Sequence, residues 1–174
     1  MASGNTMMVL FPADGVPPST AAVYAQHDAL TGADATAAEA IPFIAFDDNH
    51  NEYIDFYCVM PSNYAGGGIT LTFIWGSSAT TNNGRWQAAF RLVGDDDEDL
   101  DTTDHAYDFN LTGDLTPPSA AGEVAYDTLT FTDGADMDSV VAHKYFILRV
   151  NNPATVGTDL GADSRLFAII MAET

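Results

Sequence analysis

The strongest signal in the chain is a period of two. Between Tyr53 and Trp75, two runs of strand-forming residues flank a proline, an asparagine and three glycines. In the second run Ile69, Leu71, Phe73 and Trp75 alternate with Thr70, Thr72 and Ile74. Successive side chains of a strand point to opposite faces, so the first set makes one apolar face. In the first run Ile54, Phe56, Cys58 and Met60 alternate in the same way with Tyr53, Asp55, Tyr57 and Val59. The pattern predicts two strands joined by a turn. Gly66 to Gly68 are turn or bulge residues rather than a phosphate cradle, because no helix follows them.

The same period recurs downstream. Trp86, Ala88, Phe90 and Leu92 alternate with Arg85, Gln87, Ala89 and Arg91, after an Asn82–Gly84 turn whose residues tolerate positive φ. Phe146, Leu148 and Val150 share a face opposite Tyr145, Ile147 and Arg149, and apolar residues on both sides point to a central or covered strand. In the last run Leu166, Ala168 and Ile170 fall on one face and Phe167, Ile169 and Met171 on the other, which suits a sheet centre or an oligomer interface. Strands are expected at 40–46, 53–60, 69–75, 85–93, 105–111, 123–131, 145–150 and 166–171. Helix is limited to a turn or two within 136–143. This is an all-β pattern: an antiparallel β-sandwich of about eight strands, jelly-roll-like, forming a single domain over 40–174. An immunoglobulin-like Greek key is the rival topology.

Residues 1–39 break the period. They are rich in Ala, Thr, Gly and Pro and read as an irregular N-terminal arm. Met7, Met8, Val9, Leu10 and Phe11 form an apolar patch on that arm, which has to be buried either on its own domain or on a neighbouring subunit. Together with Phe167, Ile169 and Met171 they are the candidate partner or oligomer interface.

Charge changes the picture more than length does. The chain of 174 residues is long enough for one self-sufficient core. It carries five Lys and Arg against 25 Asp and Glu, a formal net charge of −20. With no basic stripe to neutralise a phosphate backbone, direct nucleic-acid binding is excluded. The acidic excess suits either a salty medium that screens like charges or attraction to a cationic partner or divalent metal. No apolar run is long enough for a membrane helix, and the first residues lack the pattern of a secretion signal, so the expectation is a soluble, cytoplasmically made chain with no membrane partner. Cys58 is the single cysteine and sits on the apolar face of its strand, as a buried small hydrophobe does.

Candidate chemistry is sparse. Asp95, Asp97, Asp99 and Asp101 have the alternate spacing with which a short loop offers oxygens to calcium, but the sixth and twelfth positions of a calcium helix-loop-helix loop are here Leu100 and Ala106. Asp133, Asp136 and Asp138 form a second, weaker acidic group. Calcium is the one cofactor these residues suggest. Tyr53, Tyr57, Tyr64 and Tyr107 are candidates for stacking on sugars. The four histidines share no zinc spacing, and no nucleophile, phosphate-loop or metalloprotease motif occurs, so the chain is not expected to be an enzyme.

The segments MPSNYAGGGITLTFIW, NGRWQAAFRLV, FILRV and GADSRLFAIIMAE, in that order, give the chain a further likeness. It resembles the head decoration, or cement, proteins of tailed bacterial and archaeal viruses. That resemblance implies a virion structural protein, often a homotrimer, on the outer capsid surface, where it contacts the major capsid protein and stabilises the shell. It brings no catalytic residues. Tail-fibre or host-surface glycan-binding modules also use β-sandwiches and are the alternative reading.

Overall fold

The structure is a computed structural model that describes residues 5–19, 24–94, 99–102, 104–153 and 160–174. Among these residues eleven strands form: β1 (Thr6–Leu10), β2 (Gly15–Val16), β3 (Gln26–Thr31), β4 (Ala40–Phe46), β5 (Glu52–Val59), β6 (Ile69–Ser77), β7 (Gln87–Val93), β8 (Asn110–Leu111), β9 (Ala125–Phe131), β10 (Tyr145–Asn152) and β11 (Ser164–Glu173). They build two antiparallel sheets. One runs β3-β4-β11-β6-β9, with β1 paired to β11 beside β4, and the other runs β2-β5-β10-β7-β8. Consecutive strands from β4 to β7, and again from β9 to β11, alternate between the sheets. The result is a jelly-roll-like β-sandwich, and each of the eight strands expected from the period of two has its counterpart.

The core forms because the alternation is obeyed on both inner faces. Ile54, Phe56 and Met60 from one sheet and Ile69, Leu71, Phe73 and Trp75 from the other are essentially fully buried. Trp86 joins them, its ring stacked on Phe73 at 5.3 Å and edge-on to Phe46 at 5.2 Å. Cys58 is buried in the same layer, and burial pushes its thiol pKa up to about 12, so it is protonated and unreactive at neutral pH. β10 is the central strand of its sheet, as its two apolar faces required. Gly66 and Gly68 take positive φ in the turn before β6, which is closed by Ala65 and Gly67 donating to Glu173 Oε1 at 2.8 and 3.0 Å.

Three expectations change. The stretch read as an irregular arm supplies β1, β2 and β3, each too short or too polar to show a period by itself. Their partners are β11, β5 and β4, far along the chain. In β11 the register with β6 shifts between Leu166 and Ala168, a bulge. It turns Leu166, Ile169 and Met171 into the core and leaves Ala168 and Ile170 on the outer face, so strict alternation fails there. In place of the helix expected within 136–143 there is a single 3-10 turn, Ala135–Met137.

Charge is distributed unevenly. All four arginines are half-buried, and Lys144 is the exposed cation. Lowering salt from about 1 M to about 0.01 M lengthens the screening distance from about 3 Å to about 30 Å. A body of net charge −20 repels itself over that range, so its melting temperature rises steadily with added sodium chloride. A melting temperature that is flat or falls with salt contradicts this.

Candidate functional site

The outer face of the five-stranded sheet is set by register. Pairing of β5 with β10 places Asp55 opposite Arg149 and Tyr57 opposite Ile147, and pairing of β10 with β7 places Ile147 opposite Arg91. Val16 of β2 lies opposite Asp55 at the sheet edge. These outward positions carry an unusual mixture for a solvent-facing surface: tyrosines, one isoleucine and a fixed ion pair. A groove of about 390 Å³ runs over them. Val16, Pro17 and Pro18 line it beside the β2 edge, and Leu100 and Tyr107 also contribute, Tyr107 over Arg149 of the central strand. Its lining comes from four neighbouring strands, β2, β5, β10 and β7, a span of about 14 Å at the usual spacing of about 4.8 Å between neighbours.

The floor is rigid. Arg149 donates from Nε to Asp55 Oδ1 and from Nη2 to Asp55 Oδ2, both at 2.7 Å, a bidentate fork. The guanidinium carbon also lies 4.1 Å from the Tyr107 ring centroid and 5.7 Å from that of Tyr53. The Asp55 carboxylate beside it holds the Arg149 pKa above the ordinary arginine value, so this charge is permanent. Beyond the pair, the Tyr57 and Tyr145 rings stand 6.5 Å apart and within 18° of parallel, 48% and 38% exposed. Burial raises the pKa of both Tyr57 and Tyr107, so their hydroxyls stay protonated as donors. The face thus offers flat apolar rings next to preset hydrogen-bonding groups, an arrangement suited to a ligand with apolar faces and hydroxyl edges.

Of the tyrosines singled out from the sequence, Tyr57 and Tyr107 line this groove, and Tyr53 flanks it. Tyr64 does not belong: it is buried in the core, and its hydroxyl donates to Asp133 Oδ1 at 2.7 Å. Asp55, Arg91, Tyr145 and Arg149 escaped sequence reasoning because they meet only through register, Asp55 and Arg149 being 94 positions apart. The available signal was the polar residue in the middle of each of two otherwise apolar strands.

The acidic candidates are placed as follows. Asp95 and Asp97 lie outside the described residues. Asp99 and Asp101 are exposed in a loop, where Asp101 N–H donates to Asp99 Oδ1 at 3.4 Å. Asp133, Asp136 and Asp138 are separately engaged, accepting from Tyr64, from Thr132 N–H at 2.6 Å and from Leu92 N–H at 2.7 Å. Among the described residues, the acids that the fold brings together are Asp47, Asp48 and Asp163, with one oxygen from each within 4.8 Å of the others. Beside them Glu52 is only 7% exposed and accepts from Asp47 N–H at 2.8 Å.

Burial, with Asp47 and Asp163 nearby, raises the Glu52 pKa above its ordinary value of 4.5. A raised carboxyl favours the fold below that value and opposes it once pH passes the folded pKa, where the carboxylate ionises. Glu52→Gln therefore raises the melting temperature at pH 7 and has little effect below pH 4.5, as thermal unfolding at the two pH values will show. Equal effects at both pH values contradict this.

Of the candidate interface residues, Leu10, Ile169 and Met171 are core residues and are not available to a partner. Met7 and Met8 are half-buried against the core, whereas Val9 and Phe11 are exposed. Phe167 faces outward, its ring over Gly76 and 5.9 Å from Phe43.

No family model and no curated protein matches the sequence. Solved structures share the fold. The CBM22-1 xylan-binding domain from Paenibacillus barcinonensis Xyn10C superposes with a TM-score of 0.51 at 5% identity, over 99% of this chain and 96% of that one. The Clostridium thermocellum endo-1,4-β-D-xylanase 10B structure of CBM22-1 and GH10 modules, complexed with xylohexaose, gives 0.49 at 11% identity; the chain aligns over 99% of its own length and spans 28% of that protein. CBM35 from Cellvibrio japonicus Abf62 gives 0.48 at 10% identity, over 94% and 91%. At 5% identity the likeness to the Paenibacillus domain is one of fold alone.

Proposed function

We propose that the chain is a non-catalytic glycan-binding module whose ligand lies across the five-stranded sheet. The observation that carries this reading is the pair of half-exposed, near-parallel rings of Tyr57 and Tyr145 beside the fixed Asp55–Arg149 fork, in a groove that crosses the sheet. Pyranose rings have apolar C–H faces and hydroxyl edges. The tyrosine faces take the former, while the guanidinium, the carboxylate and the tyrosine hydroxyls take the latter. Binding to a preset surface of this kind loses little side-chain entropy, because Arg149 is already held from two sides. The same fold carries xylan binding in the Paenibacillus domain, which makes xylan the first polymer to test.

The decoration-protein reading is the alternative. It draws on the exposed Val9 and Phe11 as apolar residues for a shell. Affinity electrophoresis through gels containing soluble polysaccharides, with and without calcium, separates the two. At least one glycan retards the protein, and Tyr57→Ala or Tyr145→Ala weakens binding by about 30-fold, equivalent to about 2 kcal/mol for a central aromatic contact. If no polysaccharide retards the protein while purified viral heads bind it, the capsid reading replaces this one.

A further inference from the structure

The chain passes from the six-stranded to the five-stranded sheet between β4 and β5, and acids gather at this crossing. Asp47 and Asp48 follow β4, Glu52 opens β5, and Asp163 immediately precedes β11, whose first residue pairs with the end of β4. Asp47, Glu52 and Asp163 line a cavity of about 450 Å³ together with Gln26 and Asp28, which register places opposite Ala45 and Phe43 of β4. No lysine or arginine is among the described residues of that lining. The nearest basic groups are committed to other contacts. His50 Nδ1 lies 3.2 Å from Asp47 Oδ2 on the exposed side, and His27 Nε2 lies 3.1 Å from Gly15 O. The Arg165 guanidinium stands over the Phe43 ring at 5.5 Å, in the adjoining groove.

Glu52 is what a merely solvated acidic surface does not explain. Its side chain lines this cavity although the residue is only 7% exposed. Oε2 accepts from Asp47 N–H at 2.8 Å, and Oε1 meets no donor among the described residues. A carboxylate withdrawn from water among other carboxylates requires a counter-charge, and the described Lys and Arg side chains do not supply it. The backbone around it is fixed by buried polar side chains. Asn151 Nδ2 donates to Glu52 O at 2.9 Å, Asn152 Nδ2 to Ser164 Oγ at 2.8 Å, and Ser77 Oγ to Asp163 O at 3.0 Å. We propose that a calcium ion supplies the missing charge, held by Asp47, Asp48 and Asp163 with the buried Glu52 carboxylate beside it. Two oxygens bound to one calcium at about 2.3–2.6 Å stand at most about 5 Å apart. The three aspartate oxygens, within 4.8 Å of one another, therefore fit around one ion. A set of carboxylates without thiolate selects a hard cation, and water completes the six to eight positions, roughly, that calcium takes. Such an ion ties the β4–β5 crossing to the start of β11.

Isothermal titration of the EDTA-stripped protein with calcium chloride at pH 7 tests this. In about 1 M sodium chloride the screening length is about 3 Å, which removes the diffuse attraction of cations to a chain of charge −20. One calcium binds per 18.5 kDa chain, and magnesium binds at least about tenfold more weakly. The melting temperature rises by about 5–10 °C with calcium at about 100 times its Kd. Asp163→Asn and Glu52→Gln each weaken calcium binding at least about tenfold. Asp99→Asn combined with Asp101→Asn, in the exposed acidic loop, leaves it unchanged. Metal-free melting temperatures at or above that of the parent chain establish that the variants fold. No calcium heat at pH 7 means that a proton on Glu52 is the counter-charge and overturns the proposal. Equal binding of magnesium, calcium binding that survives both Asp163→Asn and Glu52→Gln, or binding lost with the Asp99 and Asp101 substitutions also overturns it.

Discussion

Replacing Trp86 with alanine lowers the melting temperature by about 12 °C, the equivalent of about 4 kcal/mol for a domain of this size. Trp86 is fully buried just before β7 and is the residue through which the two sheets grip each other. It reaches from one sheet into the other, stacking on Phe73 at 5.3 Å and meeting Phe46 and Trp75 edge-on at 5.2 and 6.1 Å. Its backbone N–H also donates to Thr112 Oγ1 at 3.0 Å, fixing the strand start that the ring depends on. Removing the indole strips partners from three aromatic rings at once, and a β-sandwich held by two inner faces cannot collapse to fill the space. Against a total stability of about 5–15 kcal/mol, that loss is a large fraction. Thermal denaturation checks it; a fall of only a degree or two means that the inner faces repack around the gap.

Arg149→Ala has the second large effect, and it acts on stability and binding together. Asp55 is 3% exposed, and its carboxylate is held in the sheet face by the two bonds from Arg149. Without the arginine a buried charge is left with water as its only new partner, at a cost of about 3 kcal/mol, the lower end for such pairs because the Arg149 side chain is itself 24% exposed. Tyr107 also loses the cation it stacks on, so the groove wall it forms loosens. Asp55→Leu combined with Arg149→Met removes both charges and recovers most of the stability, but it does not restore glycan retention. Calorimetric unfolding of the three variants beside their gel retardation checks both halves. A double variant that regains binding means the ion pair only supports the fold.

Much of the fold was legible because strands buried on one face write a period of two into the sequence. The bounds expected for one strand, 40–46, are those of β4, and the inward sets of β5, β6 and β10 are as the alternation predicts. What remained hidden has physical causes. β2 and β8 are two residues long, and β3 is exposed on both sides, so neither burial nor length leaves a pattern in them. The bulge between Leu166 and Ala168 reverses the faces of β11 without any glycine or proline to mark it, and it moved Ile169 and Met171 from expected surface to core. The groove was half legible. Tyr57 and Tyr107 could be picked as stacking residues by type, but their convergence on Arg149 depends on pairing between strands separated by most of the chain. Tyr64, of the same type, went to the core because Met137 and Asp133 receive its hydroxyl there.

The most direct measurement is amide chemical-shift mapping of the labelled protein during titration with oligosaccharides, beginning with those derived from xylan. Shifts centred on Asp55, Tyr57, Arg91, Tyr145 and Arg149, moving together with one saturation curve and absent in Tyr57→Ala, are the predicted result. Shifts clustered on the outer face of the six-stranded sheet, or a spectrum that no glycan perturbs, contradict it.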